Sequence, residues 1–507
     1  MGLVTPVKPV PLGELGRVHF AGIGGAGMSG VARIMLARGI AVSGCDSAAS
    51  SQLDELAALG ARVCVGHSAE HLSSADTLVV SSAIRAGNPE LVQARRMGMR
   101  VLHRAAALAC VMLGRQSIAV AGTHGKTTTT SMITTVLRRC GADPAYVIGG
   151  ILAETGLGAA EGGGRAFVAE ADESDGSFLM LSPDAAVVTC VEADHLDNYR
   201  SLAEIEAAFE AFAARITPGG LLVTCADDAG ASKVAAAARA QPGAALRSVT
   251  YGASPQADYR LATVAPAGMA TEFELTPGRR SVLAGHGTVG LRVEVPGRHN
   301  ALNAAAAYAT ATELGFSHDG IAAGLAGYRG ARRRMEPKGE ADAVRVLDSY
   351  AHHPTELAAD LVAARDIASG GRVIVVFQPH LFSRTRFFAD QFGAALGLAD
   401  ESFVLDVYAA REDPEPGVTG ALIADAIPGG RGVFCPDRRG LPALIADGAK
   451  PGDVVLTMGA GDVTQLGPLI VDALRRRADG GPVVTDTAVS DTAAGGTRDD
   501  ATGDGGR

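Results

Sequence analysis

The sequence predicts an α/β protein built from three domains: an N-terminal Rossmann-like nucleotide-binding domain, a central P-loop-type ATPase domain and a C-terminal Rossmann-like α/β domain. Three observations predict it. The chain has 507 residues, where a domain usually takes about 100 to 200. Short apolar runs alternate with helical segments along most of its length. Each third carries a glycine-rich turn at the end of a strand-like run. The limits read as an extension at 1–16, domains at 17–113, 114–331 and 332–477, and a tail at 478–507 rich in Gly, Thr, Asp and Ala that cannot bury a core.

Composition narrows the class. A net charge of −10 disfavours a nucleic-acid partner, whose footprint is basic, so an anionic substrate must meet local clusters such as Lys126, Arg332 to Arg334, Arg384 and Arg386. Hydrophobic residues make up 47% of the chain, yet no apolar run approaches the roughly 20 residues that span a bilayer. Met1 to Gly16 lacks an apolar signal region, so a soluble, cytoplasmic protein is expected. The seven cysteines are scattered without a C-x-x-C pair, which argues for reduced thiols and against structural zinc.

The first domain opens with the strand Arg17 to Ala21 and the turn Gly22-Ile23-Gly24-Gly25-Ala26-Gly27-Met28, followed by a helix to about Arg38. This is G-x-G-x-x-G. Its physics is a diphosphate on a helix N-terminus, with Asp46 at the end of the next strand placed for a ribose hydroxyl. Alone it reads as a dinucleotide site. Strands at Thr77 to Ser81 and near Val101 complete the unit.

The second domain begins at Gly122-Thr123-His124-Gly125-Lys126-Thr127-Thr128, between the apolar run Ser117 to Ala121 and a Thr-rich helix to Arg139. Glycines admit a close backbone approach, free amides point at the anion, Lys126 adds a charge and Thr127 offers a hydroxyl to Mg²⁺. The spacing departs from the common P-loop, since Val120 stands where its first glycine belongs. Strands Arg165 to Glu170 and Ala185 to Val191 end in the acidic clusters Glu170 to Asp175 and Glu192 to Asp197. Acids and a histidine beside a triphosphate imply Mg²⁺ sites. From Asp227 to Val295 an antiparallel excursion is expected. Asn300 then reads as the cap of an Ala-rich helix, with Asn303 on the same face.

Gly327 to Arg334 reads as a short, flexible, basic linker. Beyond it, strands at Ala343 to Leu347, Arg372 to Phe377, Ser402 to Val407 and Asp453 to Met458 place Asp348 to Thr355, Gln378 to Arg386 and Gly459 to Asp462 on one edge. His103, His299 and His353 read as structural histidines, and Met97 and Met99 as ordinary core or loop residues.

Taken together, Gly22 to Ser29, Gly122 to Thr128, the two acidic clusters, Gly297 to Asn303, Asp348 to Glu356 and Phe377 to Arg386 resemble the Mur ligases of peptidoglycan synthesis, over about residues 17 to 470. The resemblance implies an ATP-dependent amide synthesis. The γ-phosphoryl group of ATP activates the lactyl carboxylate of UDP-N-acetylmuramate, and L-alanine attacks the acyl phosphate. It assigns the UDP-sugar to Gly22, Gly24, Gly25, Ala26, Gly27, Met28, Asp46, Ser81 and Ser82. ATP falls to Gly122, Thr123, His124, Gly125, Lys126, Thr127, Thr128, Asn300 and Asn303, with Arg333 or Arg334 from the third domain. Lys126, Glu170, His195, Arg334 and Asp348 take the catalytic roles; Thr127, Glu170 and His195 ligate Mg²⁺, the one metal implied. His352, Arg384 and Arg386 orient the substrate carboxylates. The arrangement is completed by domain closure.

The chain departs from the family pattern in two places. No lysine lies between Lys126 and Lys233 to supply the carbamylated residue of several relatives, and Leu381 stands where relatives often have arginine. A recycling ligase that adds a whole peptide shares every ATP residue. An NAD-dependent oxidoreductase with an accessory ATPase domain is motivated by the first turn, and a non-catalytic nucleotide-binding regulator fits poorly with intact Lys126, Glu170 and His195.

Overall fold

The computed structural model describes residues 4–195, 198–241, 246–410 and 412–480. Leu196 and Asp197 of the second acidic cluster, and all of the tail beyond Gly480, lie outside the described residues. Three sheets, one per domain, make up the fold.

The first is five-stranded and wholly parallel, with spatial order Arg62–Val65, Val42–Asp46, Val18–Ala21, Thr77–Val80, Arg100–His103. Val18–Ala21 is buried at every position, as a parallel strand covered on both faces requires. The glycine-rich turn leads into the helix Ala26–Ala37, whose cap Gly25 makes no side-chain bond and leaves the first amides open.

The second sheet has ten strands. At its centre Gln116–Ala121 lies between Ala185–Val188 and Ala166–Glu170, all parallel. The Thr-rich helix Lys126–Arg139 is buried from Thr127 through Leu137, an unusual place for hydroxyls. Thr130, Ser131 and Thr134 donate to the carbonyls of Lys126, Thr127 and Thr130 one turn back, which satisfies them without a partner helix. The antiparallel excursion is shorter than the composition suggests. Leu221–Cys225 and Arg247–Gly252 continue the parallel order, Tyr259–Ala267 joins parallel to Arg247–Gly252, and only Ala270–Pro277 and Val289–Val293 run antiparallel beyond it.

The third sheet is six-stranded, in the order Glu336–Ala341, Val344–Ser349, Val454–Met458, Val373–Phe377, Glu401–Val404, Gly432–Phe434. Its first two strands form an antiparallel hairpin turned by Asp342 and Ala343, both at positive φ, as a two-residue hairpin prefers. The predicted edge is real: Gly459 N–H donates to Ser349 O, and Gln378 N–H to Met458 O.

Two expectations are corrected. The segment before Arg334 is not a flexible linker: Tyr328 and Ala331 are buried, and Ala153 N–H donates to Gly330 O while Arg332 N–H donates to Ile151 O. A chain whose amides and carbonyls are paired with the second domain has no freedom to swing there. Asn300 is not a cap either. The helix Arg298–Glu313 starts two residues earlier, capped by Gly297 at φ +97°, so Asn300 lies within the first turn, its amide donating to Pro296 O at 2.7 Å.

The first two domains share one continuous apolar core. It runs from Leu15 and Val18 through Ile118 and Val187 to Tyr328. Gly30 permits the approach, because a Cβ there would lie 3.2 Å from both Ala159 and Val147. The third domain has separate cores on the two faces of its sheet. Among the described residues, no helix is long and apolar enough to cross a membrane.

Candidate active site

The phosphate loop is shaped by two glycines. Gly122 at φ +138° leaves no room for a side chain, since a Cβ would fall 1.9 Å from Thr189 Oγ1, and at Gly125, φ +78°, it would fall 2.6 Å from Asn303 Oδ1. The loop is therefore packed between the next strand and the Ala-rich helix. Thr123 N–H donates to Cys190 O, and Glu192 N–H donates to Thr123 Oγ1 at 2.9 Å.

Lys126 Nζ donates to Gly122 O at 2.6 Å, Thr123 O at 3.1 Å and Glu173 Oε1 at 2.7 Å. Burial opposes its charge, but Glu173, Asp172 and Glu170 outweigh burial and hold the amine above its ordinary range. The same burial, reinforced by Asp172 against the pull of Lys126, raises Glu173 to about 7. Thr127 Oγ1 donates to Glu170 Oε1 at 3.2 Å, and Gly149 N–H holds the other carboxylate oxygen at 2.8 Å. His195, at φ +52°, has Nε2 3.5 Å from Asp194 and 3.7 Å from Glu173. Burial keeps its pKa low, so its ring is neutral.

A cavity of ≈ 290 Å³ adjoins the loop. One wall comes from the second domain, with His124, Gly125, Tyr251, Asn300 and Asn303; the other comes from the third, with Arg334, Thr355 and Glu356. The walls are tied together. Thr355 Oγ1 donates to Glu192 Oε2 at 2.9 Å, His124 lies 3.4 Å from Glu356 and 3.5 Å from Glu192, and Arg384 donates to Asp194 at 2.8 Å. Burial opposes charging of His124, but Glu192 and Glu356 raise it to about 9.

Such a pocket, with a phosphate loop on one side and an arginine from another domain on the other, suits a nucleoside triphosphate enclosed by two domains. Residues 17–116 match the family model described as Mur ligase family, catalytic domain; residues 120–311 match the Mur ligase middle domain, and residues 333–461 the Mur ligase, glutamate ligase domain. The chain belongs to the Mur ligase family.

Its similarity to individual Mur ligases is extensive. The UDP-N-acetylmuramate–L-alanine ligase of Thermobifida fusca is 56% identical over 482 residues, covering 94% of this chain and 100% of that protein. The crystal structure of UDP-N-acetylmuramate-alanine ligase MurC from Thermotoga maritima superimposes with a TM-score of 0.75 at 29% identity, covering 91% of this chain and 99% of that one. A murein peptide ligase from Psychrobacter arcticus shares the fold with a TM-score of 0.66 at 24% identity, over 90% of this chain and 98% of its own.

Within this Mur ligase the two candidate arginines separate. Arg334 lines the cavity, 3.7 Å from Glu356. Arg333 turns into the third domain, where its Nε meets Asp348 Oδ2 at 3.3 Å and its guanidinium binds Gly459 O at 2.5 Å. Asp348 is fully buried, accepting from Thr457 at 2.7 Å and Thr464 at 2.8 Å. Neither Arg333 nor Asp348 belongs to the cavity wall, contrary to the sequence expectation; Asp348 braces the residue beside Arg334. Arg386 is corrected as well: it is exposed and paired at 3.0 Å with Glu415, whereas Arg384, two residues earlier, is buried. His352 stands by Glu356 and Tyr350 O, and burial lowers it to about 3.

At the first-domain turn, Gly24 N–H donates to Asp46 Oδ2 at 2.9 Å, so Asp46 shapes the turn itself. Met28 is buried in the core at 2% exposure, which leaves only its backbone at the turn. Ser82 donates to Asp175 and contacts His103 at 3.1 Å, which ties the end of Thr77–Val80, and with it Ser81, to the second domain. Arg104 escaped the sequence reading. It stacks against Gly27, where a Cβ would lie 2.8 Å from its guanidinium, and donates to Asp172 at 3.0 Å, bridging the first glycine turn and the acidic cluster of the second domain. Its signal was its place immediately after the strand Arg100–His103. His353 caps the helix Pro354–Ala368 through Nδ1, His299 lies 3.5 Å from Asp360 at the cavity, and Met97 is exposed.

Proposed function

We propose that the protein is an ATP-dependent, amide-forming ligase that joins L-alanine to the lactyl carboxylate of UDP-N-acetylmuramate through an acyl phosphate, in the cytoplasm, as a step of peptidoglycan precursor synthesis. The observation that carries the reading is the pocket between the phosphate-loop residues His124 and Gly125 and Arg334, assembled from two domains in a chain that matches 100% of a ligase of this name. Domain limits at 17–113, 114–331 and 332–477 belong to the same reading.

Chemistry follows from the geometry. ATP lies with its phosphates on the helix N-terminal amides of Gly125 to Thr128 and its base beside Asn300, whose Oδ1 accepts a hydrogen bond from Asn303 Nδ2 at 3.3 Å. Lys126 exchanges Glu173 for the transferring phosphoryl group, where a buried cation offsets developing charge. Arg334 closes the pocket from the third domain. Arg384, held by Asp194, and His352 face the substrate carboxylates, with bidentate geometry available to the guanidinium. Arg104 stands where the UDP diphosphate on Gly22 to Gly27 meets the acidic cluster.

The Thr127 hydroxyl, the Glu170 carboxylate and the Glu173 Oε2, a buried oxygen without a hydrogen-bond partner, are hard donors that fit Mg²⁺, and neutral His195 fits a second ion. These residues would hold Mg²⁺, which would supply positive charge to offset that of the phosphates.

Phosphate release from ATP, measured with and without UDP-N-acetylmuramate, each with L-alanine or with the L-Ala-D-Glu-diaminopimelate tripeptide, tests the reading. Release is expected only with the UDP-sugar and free L-alanine. Release with the tripeptide instead assigns the chain to the recycling branch.

A further inference from the structure

Away from the ATP pocket, on the far side of the glycine turn, the first domain buries a second cluster of donors. His19 on Val18–Ala21, Cys45 on Val42–Asp46, His71 in the 3₁₀ turn Ala69–Ser74 and Glu90 on the helix Pro89–Arg96 each direct one ligand atom inward, all within 4.8 Å of one another. Glu90 is fully buried and His19 is 1% exposed. A carboxylate in such a place must be compensated.

The orientation of the rings is that of ligands. His19 Nδ1 meets Ser43 Oγ at 2.9 Å, its neighbour in strand register, and Nε2 points into the cluster with no hydrogen-bond partner. It lies 3.5 Å from Glu90 Oε1. His71 Nδ1 and Cys45 Sγ each stand 2.8 Å from the same oxygen. His67 holds the other oxygen of Glu90 at 3.0 Å, as an outer residue holds a ligating carboxylate. Metal bonds of ~2.0–2.3 Å set tetrahedral donors roughly 3.3–3.8 Å apart, and the spacings here, from 2.8 Å to at most 4.8 Å, bracket that range.

We infer that His19, Cys45, His71 and Glu90 form a four-ligand site for a borderline divalent metal, Zn²⁺ by its mixture of sulfur, nitrogen and oxygen donors, distinct from the Mg²⁺ sites of the phosphate loop. Binding converts the Cys45 thiol to a thiolate and releases its proton to solvent; the imidazoles bind neutral and Glu90 as the carboxylate. With no open position the ion is structural. It braces the UDP-sugar turn from behind, because Cys45 O accepts the N–H groups of Gly22 and Ile23 and the adjacent Asp46 accepts that of Gly24. The absence of C-x-x-C in the sequence did not announce it, since the ligands come from four elements.

The test uses the full chain, stripped with a chelator and titrated with Co²⁺ in excess Mg²⁺, which fills oxygen-donor sites. A thiolate-to-cobalt charge-transfer band with intense tetrahedral ligand-field bands should saturate at one ion per chain and be displaced by Zn²⁺. Cys45→Ser should abolish the charge-transfer band while Cys190→Ser retains it, and Zn²⁺ should raise the melting temperature of the native chain but not of Cys45→Ser. Should Cys45→Ser fail to fold by circular dichroism, His71→Gln replaces it, with at least a tenfold loss of Co²⁺ affinity expected. A folded native chain without the band, a band that survives Cys45→Ser, or unchanged affinity in His71→Gln overturns the inference and leaves the cluster a hydrogen-bonded network only.

Discussion

Arg384 of the third domain donates to Asp194 of the second at 2.8 Å, with 7% and 6% of their side chains exposed. A buried pair loses its compensation when one partner is removed, at a cost of roughly 3–5 kcal/mol. Here that cost falls on the docking of one domain against another. Arg384→Ala is expected to lower kcat by about 100-fold or more, and Arg384→Lys to restore it only in part, because an ammonium cannot reproduce the fork. Steady-state kinetics with small-angle scattering on the same samples checks both. A variant with native turnover and native dimensions removes the arginine from the closing contact.

Arg386→Ala serves as the contrasting experiment. Its partner Glu415 is 40% exposed and Arg386 itself 62%, and pairs so exposed contribute about 0–1 kcal/mol. Turnover should stay within about twofold. A tenfold loss in KM for the UDP-sugar or L-alanine would bring Arg386 back to the carboxylates.

Lys126→Ala removes the charge that the proposed mechanism assigns to the transferring phosphoryl group. Turnover should fall by a factor of order 10³ while UDP-N-acetylmuramate binding, read by calorimetry, is unchanged. Retained turnover contradicts the role given to the loop.

The oxygen donors can be separated from the histidine by metal dependence. Glu170→Gln and Thr127→Val are expected to raise the Mg²⁺ concentration for half-maximal rate by roughly 10-fold or more, and His195→Ala to alter the second, weaker phase of the same titration. Superimposable Mg²⁺ curves for all three variants would remove these residues from the metal sites.

His124 gives the ligand-free protein a pH signature. Its folded pKa is raised from 6.5 to about 9 by Glu192 and Glu356 against the burial that opposes charging. A raised pKa contributes stability that is complete below the unfolded value and is lost as pH climbs through the folded one. The urea midpoint of the native chain should therefore decline between about pH 6.5 and 9 more steeply than that of His124→Asn. Parallel profiles would mean that the histidine is neutral in the fold.

What the sequence disclosed and what it withheld follow from how local the physics is. The phosphate loop was legible because strand, glycines, lysine and helix are contiguous, and Glu170 and Glu192 because acids at strand ends collect on one edge of a parallel sheet. Asn300 misled because an asparagine before an alanine run looks like a cap, whereas Gly297 at φ +97° had already started the helix. Arg384 and Arg386 both read as carboxylate partners in sequence, with Leu381 in place of an arginine shifting weight to Arg384. Two residues apart on a helix they face different ways, and the one turned inward is Arg384, on a helix whose cap Leu381 is buried at φ +71°. Asp348 and Arg333 read as ATP contacts because both border the pocket in sequence, while their mutual pairing depends on the packing of Val344–Ser349 against Val454–Met458. The cluster around Glu90 was invisible, being assembled wholly by tertiary contact.

The unbroken core that joins the first two domains has a consequence for how the molecule comes apart. Calorimetry should resolve two transitions, one for residues up to about the buried Ala331 and one for the sheet that starts at Glu336, because cooperativity extends only as far as shared packing. A fragment carrying the first glycine turn alone, cut after Met112, would expose the helix face around Gly30 against which Val147 and Ala159 of the second domain pack and should aggregate, whereas one beginning near Arg332 should fold unaided. The third domain is therefore separable from the rest by its packing, whereas the first is not separable from the second.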